Sequence, residues 1–147
     1  MTEVQTCALP IFLYTQTDFA AEAKRLTDGR GVDVVYDAVG KDTFLKGFEC
    51  LRPRGMLASY GASSGPIGPF DTDILSRNGS LFLTRAGMAH YTAGREELRR
   101  RGTEVLDWVG SGALRVHTFA EFPLAEAARA HVAMEARETI GKVLLIP

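Results

Sequence analysis

The chain has 147 residues, the length of one ordinary domain. Apolar residues make up 46% and charged residues 24%, which excludes an intrinsically disordered chain. Seventeen basic residues face eighteen acidic ones, so no charge excess draws the protein to nucleic acid or to an anionic membrane.

In chain order, residues 1–11 show no clear period. The stretch Val4-Gln5-Thr6-Cys7-Ala8-Leu9-Pro10-Ile11 resembles the translation of a common sequencing-adapter oligonucleotide. Residues 1–11 are therefore expected to be a non-native leader, excluded from fold reasoning, and Cys7 is given no chemistry. A short apolar run at 12–14 reads as a strand. Asp18 can cap a helix over 19–26, with Phe19, Ala23 and Leu26 on one face. Asp28-Gly29-Arg30-Gly31 is a turn signal. Residues 32–39 (VDVVYDAV) are nearly continuous and β-branched, the pattern of a parallel strand buried on both faces.

Asp42 is expected to cap a helix over 43–51, and Arg52-Pro53-Arg54-Gly55 to break it before a strand at 56–60. A glycine- and serine-rich loop follows at 61–68, then a short helix at 71–77 and a strand at 80–85. Residues 92–110 form an amphipathic pattern with Leu98, Val105, Leu106 and Val109 toward a core. The cluster Arg99-Arg100-Arg101 reads as a solvated helix face. A strand at 114–119, a helix from Pro123 to about Ala136 and a strand at 141–146 complete the order.

No apolar run approaches the roughly 20 residues that span a bilayer, and the start lacks the pattern of a signal peptide. Cys7 and Cys50 make neither a disulfide framework nor a zinc finger. A reduced, cytoplasmic setting is expected. Strands alternating with helices predict a parallel α/β sheet with right-handed crossovers, which binds ligands at the carboxyl ends of its strands. Three loops fall there: 39–41, 60–65 and 85–87.

These segments, in order, are similar to the zinc-independent NADPH:quinone oxidoreductases of the medium-chain dehydrogenase/reductase superfamily. The matching pieces are Tyr14 with Asp18-Phe19, VVYDAVGKDTF, CLRPRGMLASYGASSG, GSLFLTR and the ending KVLLIP. The resemblance covers the chain from residue 12 onward, but only the C-terminal part of such a protein. It implies an incomplete Rossmann-type parallel sheet, strands 3–6 without the first two, plus a C-terminal return into a GroES-like catalytic domain. Residues 12–90 are then a partial dinucleotide-binding domain and 91–147 the returning segment. The glycine-rich phosphate loop, G-x-G-x-x-G, is not in the sequence. With the two centre strands missing, the 32–39 strand presents an open apolar edge, so the chain by itself is expected to fold poorly and to bind NADPH weakly.

The activity implied is hydride transfer from NADPH to a quinone or related activated alkene, with no catalytic acid–base dyad in this segment. Tyr14 falls where the family places a tyrosine against the 2′-phosphate of NADPH; its plainer role is packing at a strand end. Val39 and Gly40 end a strand at the cofactor edge or make an ordinary turn. Asp37 either meets ligand or serves buried polar bonding. Tyr60, Gly61, Ser63 and Ser64 lie in the family loop beside the nicotinamide, or in a polar turn. Thr84 and Arg85 end the strand nearest the nicotinamide, and in relatives that strand pairs across a homodimer.

Arg137 matches a family arginine near the cofactor or is a plain surface arginine, and Lys142 matches a looser glycine–lysine ending. His90, His117 and His131 are dispersed and do not make a zinc set. An enone, enal or enoyl-thioester reductase of the same fold, and a non-catalytic binding or structural protein, are the alternatives.

Overall fold

The computed structural model describes residues 11–136 and 138–147. The chain divides between Tyr91 and Thr92 into two compact units.

The first unit starts with helix α1 (Phe19–Leu26). Asp18 caps it as expected, accepting from the amides of Ala20 and Ala21. Strand β1 (Val32–Asp37) follows. Helix α2 (Phe44–Gly47) runs on into a 3₁₀ turn, Phe48–Cys50, one residue short of the expected end. Strand β2 (Leu51–Ser59), helix α3 (Asp73–Arg77), strand β3 (Phe82–Arg85) and helix α4 (Met88–Tyr91) complete the unit.

The three strands form a parallel sheet in the order β1-β2-β3. The expected break at 52–55 lies inside β2. Leu51 pairs with Val32 and Met56 with Val34, so 52–55 bulge from the ladder. Arg54 takes a positive φ of 59° there, and its amide donates to the Gly79 carbonyl at 2.8 Å.

One face of this sheet carries the core. Phe44, Phe48, Leu51, Leu57 and Leu81 are buried together, with Val35, Phe70 and Leu83 packed against them. Phe44 meets Phe48 and Phe70 edge-on, each at 5.0 Å between ring centres. The residues that alternate with these point the other way, where Val34, Tyr36, Met56 and Phe82 are exposed. Strand β1 is therefore covered on one face, not both as its continuous apolar run predicts, because no described element lies over the second face of its unit.

The run 12–14 is not a strand. The amides of Gln16 and Thr17 both donate to the Leu13 carbonyl, which bends the chain into a turn. Among the described residues no strand offers this segment a ladder, and three residues cannot form one alone.

The second unit contains helix α5 (Arg95–Gly110), strand β4 (Thr118–Pro123), a 3₁₀ turn at Leu124–Glu126, helix α6 (Ala127–Glu135) and strand β5 (Lys142–Ile146). β4 and β5 pair in parallel. β4 lies later than the expected 114–119, because pairing with β5 sets its register. Pro123 both ends that strand and caps the 3₁₀ turn that runs into α6, a place that needs no amide donor.

Leu98, Val105, Leu106 and Val109 are exposed in this unit, contrary to the core position expected for them. Nothing within the unit covers that stripe. The arginine cluster is solvated as read: Arg101 pairs with Glu97 and Arg100 with Glu104. Among the described residues no helix is long and apolar enough to cross a membrane.

Candidate functional site

The parallel register aligns Asp37, Ser59 and Arg85 in one row at the carboxyl ends of β1, β2 and β3. Residues paired across parallel strands share a face, so the three side chains stand side by side. Asp37 is 5% exposed and Ser59 1% exposed.

Asp37 organises the first loop. Its Oδ1 accepts from the Val39 amide at 3.0 Å, the Gly40 amide at 3.2 Å and the Thr43 hydroxyl at 2.7 Å. Thr43 is the first residue before α2, so one carboxylate oxygen joins the strand end to the helix start. Asp42, expected as the cap, does not perform that role; its own amide donates to Ser64 Oγ at 3.1 Å. Asp37 Oδ2 is buried without a hydrogen-bond partner among the described residues.

The second loop interlocks with the first. Tyr60 N donates to the Asp37 carbonyl at 2.9 Å, Ser63 N to Ala38 at 3.3 Å and Ser64 N to Val39 at 2.9 Å. The Ser64 hydroxyl also donates to the Val39 carbonyl at 2.8 Å. In return, Lys41 N donates to the Gly65 carbonyl at 3.3 Å. The Ser64 side chain is thus engaged inside the lock, whereas Ser63 and the Tyr60 ring are exposed.

Two glycines make this proximity possible. Gly40 has φ of +89°, and a Cβ on it would lie 2.9 Å from both Ala62 Cα and the Gly65 carbonyl. A Cβ on Gly61 would lie 2.3 Å from the Ala38 carbonyl oxygen.

The third strand end braces the second loop. Arg85 Nη1 donates to Ser59 Oγ at 2.6 Å and to the Gly61 carbonyl at 2.9 Å. Thr84 is half-buried and alternates to the opposite face of the sheet. The structure therefore brings together Val39, Gly40, Tyr60, Gly61, Ser63, Ser64 and Arg85.

The other expected residues lie elsewhere. Tyr14 sits in the turn before α1, and the residue is 37% exposed. Lys142 opens β5 in the second unit, where its amide donates to the His117 carbonyl. Arg137 is outside the described residues. His90, His117 and His131 are exposed, and among the described residues no three His, Cys, Asp or Glu side chains gather at metal-binding distance.

Sequence reasoning missed Thr43 and Ser59. Thr43 carried a readable signal, an aspartate closing a strand shortly before a helix start, which invites side-chain capping. Ser59 carried none, since its importance comes from register alone.

An open parallel sheet with loops interlocked at the carboxyl ends of its strands is the arrangement of a Rossmann-type fold, a class in which ligands bind at that edge. Residues 8–145 match the family model described as zinc-binding dehydrogenase, and the chain belongs to that family. It is 45% identical to 2-haloacrylate reductase of a Burkholderia species, over 91% of this chain and 40% of that protein. It is 40% identical to quinone oxidoreductase of Pseudomonas aeruginosa, over 91% of this chain and 41% of that protein.

The crystal structure of Escherichia coli quinone oxidoreductase complexed with NADPH superposes with a TM-score of 0.88 at 38% identity. That match covers 95% of this chain and 44% of the other. The chain thus spans roughly two fifths of the length of these relatives.

Proposed function

We propose that this chain is part of an NADPH-dependent reductase that passes hydride to a quinone or a related electron-poor alkene. The observation that carries the reading is the interlocked sheet edge of residues 37–41, 59–65 and 85, in a fold close to that of a quinone reductase solved with NADPH. Residues 61–65 are all small and stand beside one exposed aromatic residue, Tyr60. That arrangement fits a planar nicotinamide and a planar acceptor.

Val39, Gly40, Tyr60, Gly61, Ser63, Ser64 and Arg85 form or support this nicotinamide-side floor, and Thr84, on the opposite face of the sheet, is assigned to the cofactor by the family resemblance alone. Exposed backbone and the Ser63 hydroxyl supply hydrogen-bonding groups for a carboxamide. Tyr14 is assigned to the adenosine 2′-phosphate, since a phenol can donate to a phosphate oxygen. Arg137 and Lys142 are assigned to the cofactor by the family resemblance alone. The diphosphate has no glycine-rich loop in this sequence to hold it, so the floor is one part of the cleft.

Bound there, NADPH supplies the hydride. The chain's own residues hold the cofactor's reactive end against a rigid floor, and none is assigned as a catalytic acid or base. Among the described residues His, Cys, Asp and Glu side chains do not converge as a metal set, and the zinc-independent reading rests on the resemblance to the quinone reductase branch.

In this reading residues 12–90 belong to the dinucleotide-binding domain and 91–147 return toward the catalytic domain. The protein works in the cytoplasm as a homodimer joined through the β3 edge, whose Phe82 is 58% exposed.

The test is turnover of the complete gene product. Loss of reduced-nicotinamide absorbance with 1,4-benzoquinone supports the reading. A preference for 2-chloroacrylate selects the alkene reductase instead, a branch favoured by the 45% identity to 2-haloacrylate reductase. Oxidation of NADPH with neither acceptor overturns both. A stable complex with another protein, formed without NADPH binding, would support the non-catalytic alternative.

A further inference from the structure

We infer that Arg85 is a positioning residue, which presets the Tyr60–Gly65 loop for nicotinamide before any cofactor arrives. The inference rests on the reductase reading above and deepens it. Its ground is how one guanidinium nitrogen, Nη1, is spent. Both hydrogens of Nη1 are committed within the protein, one to Ser59 Oγ at 2.6 Å and one to the Gly61 carbonyl at 2.9 Å. Ser59 is 1% exposed and lies in ladder register with Arg85, so the first contact anchors the guanidinium to the sheet. The second contact grips the loop at the residue that passes closest to Ala38.

The Arg85 side chain therefore works as a strut between a fixed strand and a loop that must hold one shape. Donors from a charged group are stronger than neutral ones, which suits a strut at the solvent edge. The backbone repeats the tie, since Ala86 N donates to the Ser59 carbonyl at 3.1 Å. Asp37 does the equivalent work for residues 39–43 from the other end of the row. The two braced loops then meet through Ser63 and Ser64. A ligand edge built this way needs no ordering step on binding, and affinity gains what ordering would otherwise cost.

Three variants of the complete gene product test the strut. Arg85→Met keeps the stem and loses both contacts. Arg85→Lys can keep one of them. Ser59→Ala removes only the anchor and serves if Arg85→Met does not fold. Two quantities are read: amide hydrogen exchange of the 60–65 segment without cofactor, and NADPH affinity by fluorescence titration.

In Arg85→Met the Ser63 and Ser64 amides are expected to exchange about ten-fold faster, and NADPH to bind about ten-fold more weakly. The KM for the acceptor should stay within about two-fold, a split that general destabilisation would not produce. Arg85→Lys should fall between wild type and Arg85→Met, and Ser59→Ala should show the same pair of changes at a few-fold each.

Weakened NADPH binding with unchanged loop exchange makes Arg85 a direct ligand and overturns the inference. Unchanged binding in Arg85→Met overturns it as well. If the wild-type protein does not bind NADPH at all, the reductase reading itself falls. The wild-type titration separates that failure from a failure of the strut.

Discussion

At the residue scale the site depends on backbone proximity more than on functional side chains. Gly61 passes so close to Ala38 that one added methyl group would sit 2.3 Å from a carbonyl oxygen. Gly61→Ala should therefore push the two loops apart, cost about 2 kcal/mol or more in unfolding free energy and weaken NADPH binding in the complete gene product. Gly68 lies in the same loop with open space where its Cβ would be. Gly68→Ala should stay within about 0.5 kcal/mol of wild type in a denaturant titration. Equal effects at the two glycines would contradict the interlock.

Cys50 is a residue whose environment silences it. Burial, with Glu49 beside it, pushes the thiol up to about 11. The folded state then holds the thiol proton more tightly than the unfolded chain does. That preference contributes stability below the ordinary thiol range, and the contribution is lost as pH rises toward 11. The unfolding midpoint of Cys50→Ala should fall less steeply than wild type between about pH 9 and 11. Parallel slopes would mean that Cys50 ionises as freely in the folded protein as in the unfolded one.

At the scale of elements, two apolar surfaces stand uncovered within their own units. One is the sheet face bearing Val34, Tyr36, Met56 and Phe82, with Tyr36 74% exposed. The other is the α5 stripe, where Leu106 is 71% exposed. The outer edge of β1 is also unpaired among the described residues. Exposed strands of this composition associate with one another.

Residues 1–147 expressed alone should therefore self-associate in light scattering at micromolar concentration. Phe82→Lys, at an already 58% exposed site, should reduce the association without lowering helix content. A monodisperse wild-type monomer would contradict this reading of the two surfaces.

Elements were legible where the sequence carried a local cause. Asp18 before Phe19 located α1, and the glycines and prolines marked the turns. Three boundaries were not legible, because long-range pairing decided them. β2 begins at Leu51 through its ladder to Val32, β4 slides to Thr118–Pro123 to match β5, and 12–14 bends for want of a partner strand.

The burial of β1 and α5 misled for a related reason. An apolar pattern records the surroundings a segment is suited to, and the second face of β1 and the stripe of α5 have no cover within their units.

For the whole molecule, the family was legible because five short motifs occur in the right order, and residues 8–145 match the zinc-binding dehydrogenase family. The cluster of Val39, Gly40, Tyr60, Gly61, Ser63, Ser64 and Arg85 was legible as a set from strand ends alone. What each member does was not. Ser64 and Arg85 read as ligand-facing groups, yet both spend hydrogen bonds inside the protein. Asp37 was legible as a buried polar group serving its own loop, whereas Ser59 gains its role from register that no local pattern announces.

The central claim is that this interlocked edge is the floor under the nicotinamide. A crystal structure of the complete gene product soaked with NADPH tests it most directly. The account predicts the nicotinamide ring within about 4 Å of residues 39–40 and 60–63, with the 60–65 loop in the conformation described above. A nicotinamide bound away from the carboxyl ends of β1, β2 and β3, or a 60–65 loop that forms only on binding, would contradict it.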